Sequence, residues 1–248
     1  MKTSPEGLYA LAVSEGIVPA PYLDVVNVWT FGIGHAETSG LEPNPRHMPR
    51  GMPDDLDAAI VRAFDLFKYR IGVFERGVER AVTVPLAQHE FDALVSFNYN
   101  TGAIARASGT TALNAGNRAD AVRRYRLYNK AGGKVNRGLV RRREEEADMF
   151  LRAKYPSAPI PIYSVSASGK LGGVIRSMSK PEALRLLTSQ TPAQPRPAPQ
   201  APSRPVATPV AGVAAGGALV AAVAAFWNDI VCSLPAWLAD LFNLTCGG

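Results

Sequence analysis

Thiols are nearly missing from this sequence: its 248 residues include two cysteines, Cys232 and Cys246, both close to the C-terminal end. No disulfide framework can hold the bulk of such a chain, so its fold must come from a packed apolar core. Apolar residues, at 47%, are plentiful enough for one. So placed, the pair suits a Cys232–Cys246 disulfide closing a small loop in an oxidising compartment better than a metal site. Two independent reduced thiols are the other reading. Zinc-finger spacing and aromatic-rich RNA-binding patterns are missing too, so neither a metal nor nucleic acid is expected, and no cofactor. No leader peptide is expected in the opening stretch: MKTSPEGLYALAVSEG has no continuous apolar run and carries Glu6 and Glu15.

Charge is present but unevenly spread. The formal +6 divides into +3 over residues 1–155, +5 over 156–205 and −2 over 206–248. A basic chain attracts polyanions, which here leaves anionic lipid and acidic cell wall as candidates. Residues 191–209, TPAQPRPAPQAPSRPVATP, favour extended polyproline II geometry and read as a semi-rigid linker. The chain is therefore expected to divide into a catalytic domain at 1–155, an ambiguous extension at 156–190, the linker at 191–209 and an apolar segment at 210–248.

Periodicity places the elements. Leu8, Leu11 and Ala12 predict a helix over Pro5–Glu15 that ends near Gly16, with Pro19 and Pro21 beyond it. Tyr22–Leu23 and Val28–Ile33 read as two strands of a small hairpin, with Asp24 and Asn27 in the connection. Helices are predicted at Asp54–Phe74, with Leu56, Ile60, Ala63, Phe64 and Phe67 on one face, and at Ala87–Tyr99, Arg118–Tyr128 and Leu139–Ala153. Within the extension, Ile160–Val165 suits a strand and Lys180–Thr188 a helix. The expected class is α+β, predominantly α, with a small N-terminal β-sheet beside a helical lobe.

The chemistry is concentrated between Ser14 and His35, SEGIVPAPYLDVVNVWTFGIGH. Hydrolysis of a glycosidic bond needs an acid for the leaving oxygen and a second carboxylate to activate water or stabilise an oxocarbenium-like state. Glu15 closes a helix and Asp24 sits in the following hairpin, so a chain reversal can bring the two face to face. Thr30, on the next strand, offers a hydroxyl able to hold a water. A general acid must keep its proton near neutrality, which partial burial beside Leu11, Ile17 and Trp29 would favour. Spacing by itself also allows the plainer reading, in which Glu15 and Asp24 are solvated surface residues.

Ser14–Gly16, Tyr22–Asp24 and Trp29–His35 together resemble the E…D…T-x-G-x-G-H signature of the phage lysozymes of glycoside hydrolase family 24. The gaps agree, nine positions from Glu15 to Asp24 and six from Asp24 to Thr30. QHEFDALVSFNYNTG (88–102) and YNKAGGKVNRGLVRRREEEADMFL (128–151) are similar to later blocks of the lambdoid branch, although Tyr128 stands where many relatives have Trp. The resemblance spans about residues 5–155 and implies a lysozyme-like fold. It implies Glu15 as proton donor, Asp24 and Thr30 as positioners of the attacking water, and inversion at the sugar. It also implies a structural, buried role for His35, and pairing of Glu15 with an arginine of the Arg141–Arg143 run, for which Arg141 and Arg142 are the candidates; a solvated charged face shared with Glu144–Glu146 is the other reading of that run. Asn98 and Asn100 are expected either near substrate or at a helix end, with capping favoured for Asn100. Phe91, Leu94 and Phe97 are expected in the core.

The implied function is an endolysin muramidase that hydrolyses the β-1,4 bond between N-acetylmuramic acid and N-acetylglucosamine in peptidoglycan and causes host lysis. A virion-associated lysozyme used in infection and a non-catalytic wall-binding protein are the alternatives. Val210–Phe226 contains no charge and, among Ala, Val and Gly, a single Leu; its length is close to the ~20 residues of a membrane span, but its hydrophobicity is weak. Membrane association through this segment and a self-packed helical hairpin are both open readings. The enzyme is expected in the host cytoplasm or at the inner membrane before lysis, acting on periplasmic wall.

Overall fold

The computed structural model describes residues 1–24, 27–40 and 42–189. The Pro/Ala linker, the apolar segment 210–248 and the Cys232–Cys246 pair lie outside the described residues.

Helix α1 (Pro5–Glu15) starts where Ser4 accepts the Gly7 N–H at 3.0 Å and Pro5 supplies a pre-set first turn. Buried Asp92 fixes this start, accepting from the Ser4 backbone at 3.0 Å, from Ser4 Oγ at 2.5 Å and from Tyr155 Oη at 2.8 Å. Gly7 must be glycine here, because a Cβ would stand 2.5 Å from Asp92 Cγ. Gly16, at φ +74°, stops the helix and turns the chain into a strand.

Strands β1 (Val18–Leu23), β2 (Trp29–Gly32) and β3 (His35–Ala36) form an antiparallel sheet in that order. Pro19 and Pro21 do more than follow a helix: they lie inside β1. Without N–H donors they cannot complete a ladder, and the pairing shifts register between Val18 and Tyr22. Only Val18–Gly32, Tyr22–Thr30 and Leu23–Trp29 are paired between β1 and β2.

The helical part contains α2 (Leu56–Ala81), α3 (Gln88–Thr101), α4 (Ser108–Asn114), α5 (Arg118–Tyr125) and α6 (Arg137–Arg152). Asp55 caps α2 by accepting the Ala58 N–H at 2.9 Å, and Ile60, Ala63, Phe64, Phe67 and Ile71 form its buried face. Phe91, Leu94 and Phe97 on α3 are core residues, as their periodicity predicts. Burial of each such side chain stabilises by about 1.5–3 kcal/mol. Two elements carry little periodic signal: α4 is short and threonine-rich, and the hairpin of β4 (Lys130–Ala131) and β5 (Lys134–Val135) is exposed throughout.

No break in packing falls at residue 155. Strands β6 (Ile160–Val165) and β7 (Leu171–Met178) and helix α7 (Lys180–Thr188) follow, and Ile160, Ile162, Met178, Ala183 and Leu187 join the core that contains Tyr9 and Phe64. β6 also bridges Ile17 in parallel. Lys68 secures the end of α7, its Nζ donating to the carbonyls of Leu186 at 3.0 Å and Ser189 at 3.1 Å. Among the described residues, no helix is long and apolar enough to cross a membrane.

Candidate active site

Glu15 is the last residue of α1, and its side chain is 21% exposed. Arg142 Nη1 meets its Oε1 at 2.5 Å. The same guanidinium reaches Glu146 Oε1 at 3.3 Å through Nε and the Ser96 carbonyl at 3.5 Å through Nη2. Glu146 also accepts from Arg143 Nη2 at 2.7 Å and from Ser96 Oγ at 2.8 Å. Two carboxyl groups and two guanidiniums thus share one hydrogen-bonded network in which only Glu15 is partly open. Burial pushes the Glu146 carboxyl up, opposed by Arg143 and Arg142. Burial pulls the Arg142 guanidinium down, but Glu15 and Glu146 outweigh it and hold the group above its ordinary value.

Of the two candidate arginines, Arg142 alone makes this contact. Arg141 is exposed, and its paired carboxylate is Glu145 at 3.9 Å. One residue of helix is about 100° of rotation, so neighbouring side chains face different ways and only helix phase selects the inward one. Arg143 also points inward, but to Glu146.

Asp24 stands at the tip of the first hairpin. Its N–H donates to the Val28 carbonyl at 3.1 Å, and its Oδ1 accepts the Val28 N–H at 2.9 Å. These bonds fix the carboxylate relative to β2. Thr30 is paired directly with Tyr22, so the two share one face of the sheet. Thr30 is buried, and its Oγ1 donates to the Val28 carbonyl at 3.2 Å.

Tyr22, on β1, feels the charge of both carboxylates. Burial pushes its phenol above the ordinary range, and the charges of Glu15 and Asp24 push it in the same direction. The ring's role was not evident from the sequence, although its position two residues before Asp24 was a usable signal.

Behind Glu15, Tyr99 Oη donates to the Ile33 carbonyl at 2.5 Å, and Arg70 Nη1 donates to the Gly34 carbonyl at 2.6 Å. Gly34, at φ +69°, fits between them because a Cβ would stand 3.2 Å from Tyr99 Oη and 3.5 Å from Glu15 Oε2. His35 is buried on β3 and its Nε2 donates to the Pro43 carbonyl at 3.0 Å. Asn98 is buried away from the carboxylates, its Nδ2 donating to the Phe74 carbonyl at 3.1 Å. Asn100 is exposed, and the end of α3 is instead formed by Gly102, in the left-handed region, with Thr101 Oγ1 donating to Phe97 O at 2.8 Å.

The phage lysozyme family model matches residues 12–146. The chain is 35% identical over 155 residues to the endolysin of Bacillus phage B103, covering 61% of this chain and 54% of that protein. It therefore spans about half the length of that relative. To the endolysin of Salmonella phage P22 it is 31% identical, covering 61% of this chain and 99% of that one. Among solved structures, the endolysin from Escherichia coli O157:H7 phage FAHEc1 superposes with a TM-score of 0.52 at 32% identity, over 63% of this chain and 97% of its own.

Proposed function

The chain belongs to the phage lysozyme family, and from that premise we propose that it is an endolysin muramidase that lyses the host cell. Its substrate is peptidoglycan, and the bond cut is the β-1,4 link between N-acetylmuramic acid and N-acetylglucosamine. The observation that carries this reading is a partly open Glu15 at the end of α1, anchored by Arg142 at 2.5 Å, followed by a hairpin on which Val28 fixes the Asp24 carboxylate.

In the proposed reaction the Glu15 carboxyl gives its proton to the glycosidic oxygen as the bond to the muramic acid C1 breaks. Asp24, aided by the Thr30 hydroxyl, orients a water on the opposite face of the sugar and receives its proton as the oxygen bonds to C1. One water is consumed per bond, and the product is inverted at C1. Arg142 offsets the negative charge left on Glu15 after proton transfer. His35 and Arg70 belong to the supporting scaffold.

A peptidoglycan zymogram tests the assignment. The wild type should clear the gel and Glu15→Gln should not, because loss of a general acid removes about 10²–10⁴-fold of rate. Equal clearing by both, or none by either, overturns it. Proton NMR of fresh product tests inversion: an initial β-anomer signal would instead indicate retention.

The apolar segment 210–248 is proposed to associate with the inner membrane before lysis, from which the enzyme gains access to periplasmic wall. The full chain should sediment with membranes, and a chain ending at Gln190 should not. Equal behaviour of the two removes this part of the proposal.

A further inference from the structure

The family match ends at residue 146, ahead of β6, β7 and α7. This added hairpin touches the chain on both sides of the Glu15–Asp24 span. At one end the Ile17 N–H donates to the Pro161 carbonyl and the Tyr163 N–H to the Ile17 carbonyl, each at 2.9 Å, two residues beyond Glu15. The Tyr163 ring lies against Gly16, where a Cβ would stand 2.6 Å from its Cε2. At the other end the Leu23 N–H, one residue before Asp24, donates to the Gly169 carbonyl at 2.9 Å. Gly169, at φ +82°, also presses on the Trp29 indole, whose ring would be 2.5 Å from a Cβ there. Arg50 covers Trp29 with its guanidinium 3.4 Å from the ring centroid.

Between these two anchors the strand is weak by its own chemistry. Pro19 and Pro21 give no N–H, and the β1–β2 register slips there. The hairpin compensates from the other side: Val165 shares a small apolar cluster with Val18 and Ala20, against which Tyr22 and Tyr163 pack. The hairpin itself is held firmly, because Ile160, Ile162 and Met178 sit in the main core.

We infer that the β6–β7 hairpin is a brace that sets the separation of the Glu15 and Asp24 carboxylates, with Tyr163 and Gly169 as its positioning residues. The inference rests on the muramidase reading above. It concerns geometry during reaction, and a displacement of about 1 Å at reacting groups can cost on the order of a hundredfold in rate.

The test uses the full chain with purified peptidoglycan, following release of reducing ends across substrate concentration and pH. Tyr163→Ala is expected to lower kcat by about ten- to a hundredfold with little change in apparent KM, and to shift a limb of the kcat–pH profile. Tyr163→Phe, which keeps the ring on Gly16, should restore both. Gly169→Ala should lower kcat similarly and speed hydrogen exchange at the Leu23 amide by at least about tenfold, since the new Cβ against Trp29 displaces the Gly169 carbonyl that this amide donates to. This exchange measurement carries the test if Tyr163→Ala does not fold. Unchanged kcat and pH profile in folded Tyr163→Ala, or unchanged kcat with unchanged Leu23 exchange in Gly169→Ala, overturns the brace while leaving the muramidase reading intact. A wild type that releases no reducing ends overturns both, and Glu15→Gln on the same substrate separates the two cases.

Discussion

The Arg142 guanidinium meets the Glu15 carboxylate at 2.5 Å, joining α1 to α6 across 127 positions of sequence. A single planar fork serves three acceptors there: Glu15, Glu146 and the Ser96 carbonyl. Lysine carries the charge but not the fork. Arg142→Lys should therefore retain the fold and lose kcat by about tenfold or more, because Glu15 is no longer held in one orientation. Arg142→Met leaves buried carboxylate charge without one of its cations and should destabilise by about 3 kcal/mol or more. Urea unfolding and turnover measured on both variants check the pair; equal kcat in Arg142→Lys and wild type would contradict it.

Gly34 sits at φ +69° with Tyr99 and Glu15 on its open side. Gly34→Ala adds backbone strain and a methyl group against both neighbours. The expected cost is about 1–3 kcal/mol, with a loss of activity larger than the fall in stability alone explains. Melting temperature and activity of the folded fraction, measured together, decide this.

Alkaline pH should destabilise the fold. Burial raises the phenols of Tyr22, Tyr99 and Tyr155 above the ordinary range, and raises Tyr125 to about 12. A raised folded value means that the unfolded chain ionises first. The stabilisation from these neutral phenols is complete below about pH 10, the unfolded value, and is lost as pH rises through the folded values. Unfolding free energy measured by urea at pH 8, 10 and 11 should fall only over the upper interval. Tyr22→Phe should reduce the slope.

His35 is buried, with its Nε2 bonded to the Pro43 carbonyl. Removing a buried hydrogen-bonding partner costs about 1–3 kcal/mol, so His35→Ala should melt at lower temperature. Its kcat, corrected for the folded fraction, should stay within about threefold of wild type, far inside the 10²–10⁴-fold range of a lost acid or base. A larger fall would make His35 part of the chemistry.

Much of this fold can be read from one dimension, and the exceptions share a cause. α2 announces itself through a long apolar stripe, α3 through its apolar run, α6 through its amphipathic pattern, and α1 through Ser4, Pro5 and the stop at Gly16. α4 and the β4–β5 hairpin lack such stripes, and β7 is exposed over most of its length, so periodicity has little to detect. In the candidate site, spacing and family pattern single out Glu15, Asp24 and Thr30. The choice among three successive arginines depends on helix phase, and the pairing of Tyr22 with Thr30 depends on strand register. Glu146 was findable in principle: it lies four residues after Arg142, one turn along the same face.

Ile160, Ile162, Met178, Ala183 and Leu187 sit in one core with Tyr9 and Phe64. That arrangement constrains how such a gene can recombine. A crossover at residue 155 would deliver a protein with its interior exposed and its hairpin missing. A crossover after Ser189 would keep all of these described core residues on one piece. Viable chimaeras, natural or engineered, should therefore have their junctions beyond α7.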